Sequence, residues 1–288
     1  MLLKTLSRYA SLVRFSHTIF AMPFALVGFV YALCTTDNDF TLKLLVQILL
    51  AMVTARNTAM GFNRYADRKI DALNPRTKNR EIPSGVISPR NALAFVIVNA
   101  LLFMGVALWI NPLAFYLSPV ALIVLIGYSY TKRFTAWCHI VLGVALGIAP
   151  VGAYIAVTGH FAVFPMLLAG LVITWCSGFD IIYALQDVEF DRQQALHSVP
   201  ARFGVRGGIV VSILLHAITV YAVVLAGLDY GCGTLYWIGA AVFIGLLIFQ
   251  HAIVKPSDLS RIGLAFGTVN GIASLCYAAF TIADLCLK

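Results

Sequence analysis

The chain has 288 residues, of which 61% are hydrophobic and only 11% charged, with a mean hydropathy of +0.91. A soluble domain carries roughly 25% charged residues, so this composition excludes a soluble fold and predicts an all-α integral membrane protein. The net charge of +8 gathers at the ends of apolar runs, which reads as membrane topology and attraction to anionic lipid. There is no basic helix outside the apolar runs and no zinc spacing, so nucleic acid is not expected as a partner. The lipid bilayer is, and nothing points to an obligate protein partner.

Taking roughly 20 mostly apolar residues per bilayer helix, the chain divides into nine spans. They fall at about 17–35, 42–62, 90–110, 112–131, 137–157, 162–183, 207–228, 233–253 and 262–285. The first is expected to be a span and not a cleaved signal peptide, because it comes late and is well continued. No connection is long enough for a further domain, so residues 1–288 read as one polytopic domain. The six cysteines are scattered singly, without a C-x-x-C pair, and read as small apolar side chains of membrane helices.

Seventeen of the 20 Lys and Arg residues lie before span 1 or in the connections 2–3, 4–5, 6–7 and 8–9. Lys43 and Lys288 are on the other side, and Arg56 lies within span 2. The positive-inside rule then puts the N-terminus and these connections in the cytoplasm. Nine spans leave the C-terminus outside.

At the cytoplasmic end of span 2 the chain reads Asn63-Arg64-Tyr65-Ala66-Asp67-Arg68-Lys69-Ile70-Asp71. Positions i, i+4 and i+8 stack on one helix face, so Asn63, Asp67 and Asp71 predict a column of oxygen donors. A second acidic cluster, Asp180, Asp187 and Asp191, is spaced i, i+7, i+11 at the same end of span 6, again on one predicted face. Asp67 and Asp187 are 120 residues apart, as are Asp71 and Asp191. This suggests two pseudo-repeated halves, about 1–133 and 134–288. Facing carboxylates repel unless cations sit between them. A small set of hard oxygen ligands suits Mg²⁺ completed by substrate phosphates. Glu189 falls off the shared face and reads as a solvated acid.

Span 4 ends in Tyr128-Ser-Tyr-Thr-Lys132-Arg133, where Tyr128 and Lys132 can share one helix face. Alone, Lys132 and Arg133 would be ordinary membrane-end anchors. Beside acidic clusters they become candidate ligands of diphosphate oxygens. Arg56 sits inside an apolar helix on the side of Asn63, where an unpaired charge costs a few kcal/mol. It is expected either to pair with a motif Asp or to read a substrate carboxylate. Arg14 and His17 are weaker candidates for the second task. Aromatic residues such as Phe24, Tyr154 and Trp175 are expected to face lipid or the core and not to form a substrate wall.

Together, Asn63-x-x-x-Asp67-x-x-x-Asp71, Asp180…Asp187-x-x-x-Asp191 and Tyr128-x-x-x-Lys132-Arg133 resemble the UbiA superfamily of intramembrane prenyltransferases. The flanking stretches Arg14-Phe-Ser-His17 to Phe24 and Asn74-Pro-Arg-Thr-Lys-Asn-Arg80-Glu-Ile-Pro-Ser-Gly85 are similar to its 4-hydroxybenzoate polyprenyltransferase branch, which includes prenyltransferases of the futalosine route to menaquinone.

The resemblance implies nine helices around a central cavity, with cytoplasmic caps at about 72–88 and 192–206. It implies Mg²⁺ held by Asn63, Asp67, Asp71, Asp187 and Asp191 through a polyprenyl diphosphate. Lys132, Arg133 and Arg64 would touch that diphosphate, and Asp180 would lie nearer an aromatic acid acceptor. The expected home is a bacterial plasma (inner) membrane. Rival readings are the haem, chlorophyll or homogentisate branches and, from another class, a polytopic transporter. The acids sit at helix ends and not near the midplane, which favours the enzyme. A phospholipid head-group transferase would want an Asp-Gly…Gly…Asp signature, which the chain lacks.

Overall fold

A computed structural model describes residues 2–13 and 20–287. All its regular elements are helical: α1 (Leu2–Leu12), α2 (Met22–Thr35), α3 (Leu42–Ala66), α4 (Arg68–Leu73), α5 (Pro89–Ile110), α6 (Pro112–Thr131), α7 (Cys138–Thr158), α8 (Val163–Ala184), α9 (Val188–Gln193), α10 (Val199–Asp229), α11 (Thr234–Ile253) and α12 (Asn270–Cys286). Eight helical stretches among the described residues are long and apolar enough to cross a membrane, and α2 is a shorter apolar helix. The protein is an integral membrane protein of the expected all-α class. α1 was not anticipated, and Arg14 and His17 lie outside the described residues.

Helix starts follow local capping chemistry. The side chains of Thr41, Ser88 and Ser198 accept hydrogen bonds from the backbone N–H groups of Leu44, Asn91 and Ala201, each at 3.2 Å. Each satisfies a first-turn donor that the helix itself cannot. Three spans begin differently from the sequence expectation: α2 starts at Met22, five residues after the expected 17. α10 starts at Val199, eight residues before the expected 207, and is interrupted at Gly204 (φ 74°). The last span opens with a π-helical stretch, Leu264–Val269.

The chain forms two compact units. The first contains α1 and α3 to α6. Here α3 lies against α5: Gly61 lets Val96 and Phe95 approach its backbone, and Asn57 Nδ2 donates to Asn99 Oδ1 at 2.9 Å. Such a bond between membrane helices contributes about 1 kcal/mol. Tyr9 of α1 stacks on Phe95 at 4.9 Å, and Leu12 is buried with Ile82, Ile87 and Ala92. The outer faces of α5 and α6 stay apolar and exposed, as at Leu101, Leu108 and Ile123, which suits contact with lipid tails.

The second unit contains α2 and α7 to α12. Its tightest contacts use glycine. A Cβ at Gly28 would collide with the Pro150 carbonyl, and one at Gly143 with the Ile173 carbonyl and Ser177 Oγ, so α2–α7 and α7–α8 approach backbone to backbone. Its core is aromatic. Phe24, Trp175, Phe243 and Tyr277 are buried together, and Trp175 Nε1 donates to Asn270 Oδ1 at 3.1 Å. The Asn270 amide in turn donates to the Ala265 carbonyl in the π-helical stretch, at 2.9 Å. Tyr154 is also buried, so of the two expected places, lipid or core, these three aromatics take the core.

Candidate active site

The first acidic segment is not one unbroken helix. α3 ends at Ala66, Asp67 has φ −90° and ψ 2°, and α4 restarts at Arg68. The expected column is therefore broken at its middle residue. The break is mild, because Asp67 N donates to the Asn63 carbonyl at 2.9 Å and Asp71 N to the Asp67 carbonyl at 2.7 Å. Asn63 Nδ2 also donates to Asp67 Oδ2, at 3.2 Å. Asp71 is 6% exposed. Arg80 Nη1 donates to its Oδ1 at 2.7 Å, and Thr77 Oγ1 donates to its backbone carbonyl at 3.0 Å. Both partners come from the turn-rich segment 74–87. The other carboxylate oxygen, Oδ2, is buried without a hydrogen-bond partner. An orphaned buried acceptor costs roughly 1–3 kcal/mol or more, so a hard cation is the natural complement.

The second segment departs further from the expected face. α8 ends at Ala184, Leu185–Asp187 form one 3₁₀ turn, and α9 follows. Three residues per turn in place of 3.6 shift the phase of everything downstream. Asp180 consequently stands apart from the other two acids in its contacts: its Oδ2 lies 2.7 Å from His139 Nδ1. Asp191 is fully buried, with Oδ1 2.7 Å from Lys132 Nζ and Oδ2 accepting from Ser198 Oγ at 3.0 Å. Asp187, 7% exposed, is within electrostatic reach of Lys132. Burial pushes the Lys132 ammonium down, but the Asp191 carboxylate, with Asp187 behind it, more than reverses this, so its pKa is raised.

A strap at 194–201 closes over this cluster. Leu196 N donates to the Asp191 carbonyl at 2.8 Å, and His197 N to the Lys132 carbonyl at 2.7 Å. Arg192 Nε donates to the Ala201 carbonyl at 2.9 Å. Ala195 takes the left-handed φ of 52°, a conformation that a non-glycine residue holds only when its surroundings enforce it.

The basic candidates fall in two groups. α6 ends at Thr131, so Lys132 and Arg133 lie in the turn beyond it and Tyr128 and Lys132 do not share a helix face. Tyr128 belongs to the first unit, where its hydroxyl donates to the Ala59 carbonyl at 3.5 Å. Arg64 is buried, its Nε donating to the Leu12 carbonyl at 3.4 Å, and Arg56 Nη2 donates to the Val13 carbonyl at 3.5 Å. Both arginines thus serve the C-terminal end of α1, where free carbonyls favour a cation. Arg56 also lies within electrostatic reach of Tyr128. Glu189 is exposed, as its off-face position suggested.

Sequence reasoning missed His139, Arg80 and Ser198. His139 had a signal, being a polar residue in the first turn of an apolar span. Arg80 was visible only as one of many basic residues. A cavity of about 590 Å³ lies elsewhere, lined by Phe203, Gly204, Val205, Arg206, Pro256 and Ser257, and includes none of the expected site residues. Among the described residues no three His, Cys, Asp or Glu side chains gather to hold a metal by themselves. Each unit offers a pair of acids, as expected where water and phosphate complete a Mg²⁺ shell.

The UbiA prenyltransferase family matches residues 21–276. The chain belongs to the UbiA prenyltransferase family. It is 32% identical over 226 residues, 78% of each chain, to a 4-hydroxybenzoate octaprenyltransferase of Shewanella woodyi. The fold is that of a UbiA homolog from Aeropyrum pernix K1, with TM-score 0.80 and 30% identity over 94% of this chain and 97% of that one. A UbiA homolog from Archaeoglobus fulgidus bound to GPP and Mg²⁺ gives TM-score 0.73 at 22% identity, over 97% of this chain and 99% of that one, which bears on fold alone. As a UbiA member, the chain is an aromatic prenyltransferase. The transporter reading is set aside.

Proposed function

We propose that this UbiA enzyme transfers a polyprenyl group from a polyprenyl diphosphate to a carboxylated aromatic ring in quinone biosynthesis, in a Mg²⁺-dependent reaction. 4-Hydroxybenzoate and 1,4-dihydroxy-6-naphthoate are the acceptors we favour. The observation that carries this reading is the buried Asp71 carboxylate, which has one oxygen on Arg80 and the other without a partner, in a segment whose spacing recurs at Asp187 and Asp191. The relatives named 4-hydroxybenzoate octaprenyltransferase support the acceptor class. We read residues 1–288 as one polytopic domain with pseudo-repeated halves. The turns within 72–88 and the strap within 192–206 are its cytoplasmic caps, in a bacterial inner membrane with the C-terminus outside.

In this reading Asn63, Asp67 and Asp71 would hold Mg²⁺ in the first acidic segment, and Asp187 and Asp191 would hold it in the second. Bound Mg²⁺ supplies positive charge against the leaving diphosphate. Lys132, Arg133, Arg64 and Tyr128 contribute to binding the diphosphate substrate. The allylic C–O bond breaks with its electron pair passing to diphosphate. The ring attacks the allylic cation to form a carbon–carbon bond. The displaced ring proton passes to the Asp180 carboxylate. Apolar helices exclude the water that would trap the cation. Arg56 reads the acceptor carboxylate. The test is incubation of membranes containing the protein with radiolabelled prenyl diphosphate, Mg²⁺ and a panel of acceptors, homogentisate and a haem precursor among them. Label should enter a carboxylated acceptor. Transfer only to an uncarboxylated ring would refute the acceptor class.

A further inference from the structure

The contact that the transfer reaction does not explain is made by His139. This side chain is 3% exposed in the first turn of α7, where an unpaired imidazole would be costly. Its two ring nitrogens have different tasks. Nδ1 meets Asp180 Oδ2 at 2.7 Å, and Nε2 accepts from Val199 N at 3.4 Å. The neutral ring with hydrogen on Nδ1 satisfies both contacts together. The helix pair that carries them is held closely. Ser177 Oγ donates to the His139 carbonyl at 3.0 Å, and Gly143 one turn further on removes any side chain between α7 and α8. The imidazole therefore has little freedom, and Asp180, with a side chain 23% exposed, is held through it.

Val199 is the other end of the link. It follows Ser198, which donates to Asp191, and His197, which donates through its backbone to Lys132. One side chain thus joins the strap over the Lys132–Asp191 pair to the carboxylate of Asp180.

We infer that His139 is a positioning residue for the transfer reaction. By donating Nδ1–H to Asp180 it keeps that carboxylate oriented to take the displaced ring proton, and by accepting from Val199 it ties this carboxylate to the strap. The inference rests on the proposed reaction, and it assigns no substrate contact to His139 itself. A hydrogen bond to a carboxylate is among the stronger kinds, so its loss is expected to be felt in turnover.

The two contacts can be removed separately. The side-chain amide of asparagine occupies the place of Nδ1, and that of glutamine the place of Nε2. His139→Asn therefore keeps the donor to Asp180 and loses Val199; His139→Gln keeps an acceptor for Val199 and loses the donor at its native position. In wild-type nanodiscs with prenyl diphosphate, Mg²⁺ and 4-hydroxybenzoate or 1,4-dihydroxy-6-naphthoate, transfer must first be seen; its absence would count against the reaction and not against His139. Given transfer, His139→Ala and His139→Gln should lower kcat at least about tenfold, with KM for prenyl diphosphate within about twofold of wild type. His139→Asn should retain kcat within about threefold of wild type. If Asn and Gln lose activity equally, or in step with a lowered melting temperature, or if Ala turns over normally, the positioning role is wrong. A second measurement does not need turnover: ¹⁵N-histidine spectra should show a His139 signal, absent in His139→Asn, with hydrogen on Nδ1 and none on Nε2. Hydrogen on Nε2 would overturn the link to Val199.

Discussion

Asp67–Asp71 and Asp187–Asp191 share a spacing and differ in what surrounds them. In the first segment the helix breaks at one residue, Asp71 is steadied by Arg80 and Thr77 from the turns that follow, and one carboxylate oxygen is left over. In the second, a 3₁₀ turn replaces part of the helix, and both oxygens of Asp191 are engaged, one by Lys132 and one by Ser198. The same donor spacing is thus held open in one place and closed by an ammonium in the other. A D-x-x-x-D pattern specifies which atoms are supplied, and its neighbours decide the charge they present.

The largest effect should come from removing an acid on either side. Asp67→Ala and Asp191→Ala are each expected to cut labelled prenyl transfer by about a thousandfold or more while the protein remains folded in detergent. Near-normal turnover in either variant would sink the metal assignment for that segment. Chelation by EDTA should have the same effect on wild type and be reversed by added Mg²⁺.

The next test sets the partners against each other. Lys132→Ala leaves the fully buried Asp191 without its cation, whereas Arg80→Ala strips a carboxylate that already has a spare oxygen. We expect about a hundredfold loss of kcat for Lys132→Ala with a lower melting temperature, and about tenfold for Arg80→Ala. Because the Lys132 side chain is 34% exposed, solvent screens the pair and its stabilisation falls below that of a fully buried one. The reverse order of losses would break the comparison.

A third test uses pH. The Lys132 pKa is raised above its unfolded value, so the pair's contribution is fully present below the ordinary lysine value of about 10.4 and is lost as pH climbs through the folded value. Melting curves should therefore show no contribution from Lys132 titration between about pH 6 and 9, and the difference between wild type and Lys132→Ala should shrink only in stronger alkali. A difference that vanishes near neutrality would mean that another group governs the pair.

The smallest expected effect is at Arg56. Arg56→Ala should raise KM for a carboxylated acceptor about tenfold and that for prenyl diphosphate about twofold or less. Equal changes in both would count against Arg56 as the reader of the acceptor carboxylate.

Much of this protein is written in composition and spacing. Runs of about twenty apolar residues dictate membrane helices because a bilayer offers no partner for a free backbone group. The recurring Asn and Asp positions name the oxygen donors, and their scarcity among apolar residues makes them visible. What the spacing could not show was where helices stop. Periodicity assumes one unbroken helix, and the breaks at Asp67 and at Leu185–Asp187 invalidate that assumption at the sites of interest. Nor could it show partners distant in sequence. His139 meets Asp180 across 41 residues and Lys132 meets Asp191 across 59, contacts that exist only once α7, α8 and the strap have folded together. Local sequence determined which groups this enzyme carries. Tertiary structure alone decided which are paired and which keep an oxygen in reserve, because hydrogen bonds and ion pairs depend on distances of about 3 Å that no linear spacing encodes.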